Sequence, residues 1–429
     1  MLIYSEKITP RLQYIVNTLF AGNEVKLTDS SADFFNYDGA KINYSKKRFS
    51  EDELLICPSG LLFESDIKSQ KIYCSEWNGV KVFFQTHGDI PFDIFSAAFY
   101  LLSRYEEYLP HKKDSYGRYA HGASLACKEE FLQLPLVNLW KQKFFEILRH
   151  KFSQLHLTEP TFSFQPTYDI DIAFAYQGKS WYRKLISKLK RETTIVNGKD
   201  VFDVYDWLDE LHQQHHLSPT YFFLLADRRS KYDKNLSPKS NKLQDLIRRT
   251  AQQYKIGIHP SWQSFHDENL LKKELRRLVS ISRKNISVSR QHYIQFVLPY
   301  TYRKLVEAGI TDDYSMGYGS INGFRASYCS SFYWYDLMKE AQTSLLLHPF
   351  CYMEANSFFE QKFSAEEAAK ELQQYHDSVK QVGGTLIIIF HNHFLTEQEQ
   401  WKPWREMYQN FLKKNFQQQV TSPSLQQQL

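Results

Sequence analysis

The chain has 429 residues, 42% of them hydrophobic and 16% aromatic, which is room for more than one domain and too apolar for a disordered polymer. A net charge of +5 is small for this length, and basic runs such as "SWYRKLISKLKRE" and "LLKKELRRLVSISRK" carry apolar residues at helical spacing, so they read as solvated helix faces rather than a nucleic-acid grip. The five cysteines (57, 74, 127, 329 and 351) form no CxxC pair; this argues against a disulfide framework and a cysteine zinc knuckle and suggests a reducing compartment.

The first residues, "MLIYSEKITPRLQYIV", are interrupted by charges and carry no secretory signal, and no uninterrupted apolar stretch reaches the ~18 residues of a membrane span. The expectation is a cytoplasmic protein with no transmembrane segment. Residues 1–158 read as a smaller α+β domain. Its strands are expected in "LLICPSGLLFES" and "GVKVFFQT", and its helices in "DIFSAAFYLLSRYEEYL" and "LPLVNLWKQKFFEILRHKF". A boundary is expected near 153–161.

From residue 159 the pattern changes to alternating strands and helices. "TFSFQPTYDID" reads as a strand, "FDVYDWLDELHQQHH" as a helix, "PTYFFLLAD" as a strand and "SNKLQDLIRRTAQQY" as a helix. The strand-like "KIGIHPSW", the helical "ENLLKKELRRLVSI", the strand-like "ISVSRQHYIQF" and a helix at "YTYRKLVEAG" follow. "DDYSMGY", "SLLLHPFCYM" and "TLIIIFHNHF" are further strands, while "SFYWYDLMK" and "YSMGYGS" read as aromatic loops. Before the last strand, "SAEEAAKELQQYHDSVKQVGG" opens on a Ser-x-x-Glu capping signal and closes on glycine. This alternation over 159–418 predicts a parallel α/β sheet closed as a barrel. The Gln/Ser-rich 419–429 is expected to be disordered.

Polar residues fall where the apolar runs stop: Asp169 and Asp171, Asp227, His259, His292, His348 and His391. In α/β sheets reactive groups collect at the carboxyl ends of the strands. Asp169 and Asp171, two apart in an extended chain, share a face, and two like charges side by side repel unless something binds them. A divalent cation on Asp171, His259 and one further histidine would leave Asp169 free as a base and His391 as an acid.

These residues resemble the polysaccharide deacetylases of carbohydrate esterase family 4 across roughly residues 161–395. "TYDID" resembles the family's first motif, which implies Asp169 as base and Asp171 as metal ligand. "GIHPSW" resembles the second, implying that His259 binds metal. "GFRASY" resembles the third, an Arg-containing groove wall in which Arg325 would orient the base and the Tyr328 backbone N–H would hold the oxyanion. "LIIIFHNHF" resembles the last, ending in the acid His391. "AAFYLLSRYEEYLPHKKDSYGRYAH", with "RQHYIQF", "DYSMGY" and "HN", resembles a bacterial subgroup carrying an N-terminal domain of unknown role. The resemblance implies a distorted seven-stranded (β/α) barrel, a divalent metal with zinc as first candidate, and an N-acetylated carbohydrate substrate.

The chain departs from the family at Gln263, where a second metal histidine is expected, and at Ala326 and Ser327, where prolines are usual. His292 is the replacement ligand expected, with His266 behind it. His348 either lines the pocket or is a structural histidine, His393 belongs outside the first ring of contacts, and Asp227 reads as a cap. Two other functions stay open: a related hydrolase of non-sugar amides or O-acyl esters, and a degenerate barrel that binds glycan without catalysis.

Overall fold

The computed structural model describes residues 1–176, 195–196 and 199–416. The basic run 180–192 and the tail 419–429 lie outside the described residues.

The second half is built on a nine-stranded sheet. Its order is Phe332–Asp336, Ala341–Leu347, Asp312–Asp313, Val288–Ser289, Lys255–His259, Thr220–Leu224, Ser163–Ile170, Thr385–His391 and Tyr352–Met353. All pairings are parallel except that of Phe332–Asp336 with Ala341–Leu347. The mixed α/β class therefore matches the sequence pattern, but the strand number does not. "SFYWYDLMK" is not a loop: Phe332–Asp336 folds back on Ala341–Leu347 and occupies its outer edge. Because that edge is taken, the hydrogen-bonded ladder among the described residues runs from one end strand to the other without closing.

The helices between the strands are Tyr205–Gln214, Asn241–Gln253, Glu268–Ser282, Tyr300–Glu307 and Ala365–Gln381, with Lys402–Phe416 last. Their apolar stripes bury residues such as Leu208, Ile247, Leu278, Leu305 and Leu372 against the sheet. The capping box read from sequence is present at Ser364 and Glu367. Among the described residues no helix is long and apolar enough to cross a membrane.

Residues 1–153 hold a four-stranded, wholly parallel sheet in the order Lys26–Thr28, Leu2–Ser5, Lys41–Tyr44, Leu54–Leu55. Its first three strands escaped the sequence reading because they are only three or four residues long. One apolar core runs from Leu12, Phe99 and Trp140 through to Tyr335, Phe324 and the central strands. The seam is polar as well as apolar. The buried Arg11 pairs with Glu340, Tyr14 donates to the Tyr333 carbonyl, and the Val137 N–H donates to the Ser327 carbonyl.

Candidate metal and acid–base centre

The register of four adjacent strands creates the site. Asp169 lies opposite His391 on one side and Phe222 on the other. Ile170 pairs with Phe223 and Leu224 with His259, which brings Asp171 level with His259 across one intervening strand. Alternation then points Asp169 and Asp171 the same way. Both line one cavity of about 400 Å³ together with His259, His292 and His391.

Asp171 is the hub. Its Oδ1 lies 3.4 Å from His259 Nε2, and its Oδ2 lies 3.4 Å from His292 Nε2 and 3.8 Å from His391 Nε2. Asp169 Oδ2 is 3.7 Å from His259 Nε2. Each imidazole is turned inward because its other nitrogen is held. His259 Nδ1 bonds the Arg290 carbonyl at 2.6 Å, His292 Nδ1 meets Asp233 Oδ1 at 3.0 Å, and His391 Nδ1 meets Glu354 Oε1 at 2.7 Å. Asp169 Oδ1 accepts from Arg290 Nη1 at 2.9 Å, and the same Nη1 donates to Thr167.

The charges follow from this crowding. Burial works against ionised Asp171, but His292, His259 and His391 outweigh it and hold the carboxyl well below its usual range. Burial likewise works against charged imidazoles. Asp171 and Asp233 nonetheless push His292 up to about 9, and Glu354, Asp171 and Asp169 push His391 up to about 10. His393, buried beside the His391 charge, is pushed down to about 3 and stays neutral.

The donors fit a cation. The ligand atoms of Asp171, His259 and His292 lie within 4.8 Å of one another. A tetrahedral ion with bonds near 2.1 Å wants them about 3.4 Å apart. Among the described residues the buried Oδ1 of Asp171 accepts no hydrogen bond, which leaves a ligand-type oxygen beside the His259 imidazole. One carboxylate and two imidazoles suit zinc and its neighbours, and a bound ion would displace the Nε2 proton of His292 while Nδ1–H stays on Asp233.

Asp169, Asp171, His259, His292 and His391 line one cavity, whereas Arg325 and Tyr328 do not join them. Arg325 is buried on a two-pronged pair with Glu107, Nε to Oε1 at 2.9 Å and Nη2 to Oε2 at 2.6 Å. Arg290 is the arginine on Asp169. Tyr328 is buried against Phe332, outside the cavity lining. The cause is the seam: Leu132, Val137 and Asn138 bond the backbone of 324–329 from the other side, so "GFRASY" joins the two halves instead of walling a groove. His348 also lies outside the lining; its ring stacks on Tyr314 and its nitrogens meet Ser331 and Asp312. His266 is exposed beside Phe265. Asp227 pairs with Lys273 and Arg277 rather than capping a helix. His393 does line the cavity.

Sequence reasoning missed Arg290, Asp233 and Glu354. Arg290 was visible inside "SRQHY", two residues from a candidate ligand. Glu354 follows the two-residue strand Tyr352–Met353, and Asp233 sits in a polar loop, so neither ends an apolar run long enough to draw notice.

Residues 1–153 match a family of unknown function, DUF7033. No curated protein matches the chain by sequence. The solved structures it matches include polysaccharide deacetylases. A Mycobacterium smegmatis protein described as one is 13% identical, with 60% of this chain and 84% of that one covered at a TM-score of 0.40. Puue allantoinase is 12% identical, covering 59% and 83%, also at 0.40. The catalytic domain of a peptidoglycan N-acetylglucosamine deacetylase from Eubacterium rectale is 10% identical, covering 63% and 93%, at 0.30.

Proposed function

We propose that the protein is a metal-dependent hydrolase that removes N-acetyl groups from an amino-sugar glycan or glycan precursor. The observation that carries this reading is that a ligand set, a braced carboxylate and a braced imidazole, gathered from the ends of several strands, share one cavity. Asp171, His259 and His292 would hold a divalent cation, zinc first. When bound, the cation supplies Lewis acidity toward water and the acyl oxygen.

Asp169 is the base. Its Oδ1 is occupied by Arg290, so Oδ2, on the His259 side, takes the proton from the attacking water. His391, fixed through Nδ1 by Glu354, faces the cavity with Nε2 and gives a proton to the departing nitrogen. The new C–O bond and the broken C–N bond leave acetate and a free amine. Ile172, Met353 and Phe394 supply apolar wall beside these groups and keep bulk water away.

The test is acetate release from N-acetylglucosamine oligomers. Wild type is expected to turn over, and Asp169→Asn to keep its metal while losing at least about a hundredfold in kcat. Metal-loaded wild type that releases no acetate from any N-acetylated sugar would overturn the deacetylase in favour of a glycan-binding barrel.

A further inference from the structure

The cavity is not made by the second half alone: Tyr116 and Arg118, from the N-terminal part, line it alongside Asp169, Asp171 and His292. Their turn is rigidly built. Asp114 Oδ1 accepts from the N–H groups of Tyr116 (2.9 Å) and Arg118 (3.0 Å), and Oδ2 accepts from Arg118 Nε at 2.7 Å. Gly117, at φ +78°, closes the turn with its N–H on the Asp114 carbonyl.

The turn is bolted to the far side of the cavity. Arg118 Nη1 donates to the Tyr293 carbonyl, and Gly319 makes room for it, since a Cβ there would fall on the guanidinium. Tyr293 follows His292 directly and holds φ +56°, with Ile294 at +53°. Two successive non-glycine residues in the left-handed region are strained and need outside support. The Tyr116 ring completes an aromatic cluster at 5.5 Å from Tyr293, 6.0 Å from Trp262 and 6.2 Å from Tyr232, with Tyr232 stacked on Trp262 at 4.1 Å. Tyr116, Tyr232, Trp262 and Tyr293 all keep partial solvent access.

We propose that the Asp114–Tyr119 turn is the substrate-side wall of the cavity, where Tyr116, Tyr232 and Tyr293 form a subsite for a pyranose ring and Arg118 positions the Tyr293–His292 segment. One Tyr116 face carries the Arg118 guanidinium at 4.8 Å and Tyr232 stacks on Trp262; the remaining aromatic surface suits the weakly positive C–H face of a sugar, and the phenol groups suit its hydroxyls. The cavity far exceeds the needs of an acetyl group, leaving room for the ring that bears it or for that ring's neighbour. The N-terminal half then acts as a specificity element. The substrate class rests on the deacetylase reading, whereas the wall does not.

The test uses the full chain and the trimer of N-acetylglucosamine. Tyr116→Leu, which keeps apolar bulk without a π face, is expected to raise KM about tenfold while kcat, metal content and Tm hold. The same loss should appear in the trimer Kd measured in the Asp169→Asn background. Arg118→Gln is expected to weaken metal binding about tenfold, which Tyr116→Leu does not. Lys112→Ala, exposed and ahead of the turn, is the control. Unchanged KM and Kd in Tyr116→Leu would overturn the wall and leave the deacetylase standing. Trimer binding without acetate release, lost in Tyr116→Leu, would sink the deacetylase and keep the wall. A wild type that binds no trimer overturns the subsite.

Discussion

Gln263 stands four residues after His259, where the family resemblance implies a second metal histidine, yet its side chain does not face the cation site. Its amide donates to the Arg228 carbonyl at 2.8 Å and to Asp233 Oδ2 at 2.9 Å, and Asp233 in turn fixes His292. Under the proposed function the second histidine ligand would be His292, in the turn after the next strand, and Gln263 braces it through Asp233. Asp171→Ala, His259→Ala and His292→Ala should each abolish stoichiometric metal in purified protein, read by elemental analysis. Gln263→His should give no gain in metal affinity, because the new ring would meet Asp233 rather than the ion. Asp233→Asn should weaken metal binding by roughly ten- to a hundredfold, the usual effect of removing a group that orients a ligand. Unchanged metal content in the Asp171 and His259 variants would refute the ligand set.

Among the elements, the strand Lys255–His259 carries His259 and depends on a glycine. A Cβ at Gly257 would sit 2.7 Å from Phe222 and 2.9 Å from the Val288 carbonyl, so both neighbouring strands approach closely only because that atom is missing. Phe222 also carries the Arg290 guanidinium 4.4 Å above its ring, and Arg290 holds Asp169. Gly257→Ala is therefore expected to cost about 1–3 kcal/mol by overpacking, read as a lower Tm. It should also reduce kcat by displacing Arg290. The strand Val288–Ser289 is shorter than "ISVSRQHYIQF" suggests, and His292 lies beyond it in a short turn. Arg290 follows the strand directly, and its buried side chain reaches across to Thr167, Asp169 and the Tyr314 carbonyl.

Across the whole molecule the two halves are locked by buried charge. Glu107 accepts from both Arg325 and Arg104, with Arg104 also on Glu106. Burial works against ionised Glu107, but the two arginines win and hold it at about 2, against an ordinary 4.5. With the folded value depressed, the stabilisation is complete above pH 4.5 and is lost as pH falls toward 2, on the order of 3 kcal/mol over that window. Glu107→Gln should cost about 3–5 kcal/mol at neutral pH, since it strands buried arginines. It should also flatten the acid limb of a Tm-against-pH profile. A variant whose acid limb matches wild type would show that the pair does not hold the halves together.

The sequence by itself determined the alternation of strands and helices, the Ser364 cap and the carboxylates and histidines at strand ends, because these depend on residues near each other in the chain. Period and capping are local, and a polar group closing an apolar run marks a strand mouth wherever that strand goes. Only the tertiary structure decided which arginine serves Asp169, that "GFRASY" faces the N-terminal residues, that an antiparallel hairpin takes the sheet edge, and that Tyr116 reaches the cavity. Each of these joins residues far apart in sequence, such as Arg290 with Asp169, Arg325 with Glu107 and Arg118 with Tyr293. Such pairings are fixed by which surfaces pack together, and no short-range pattern carries that information.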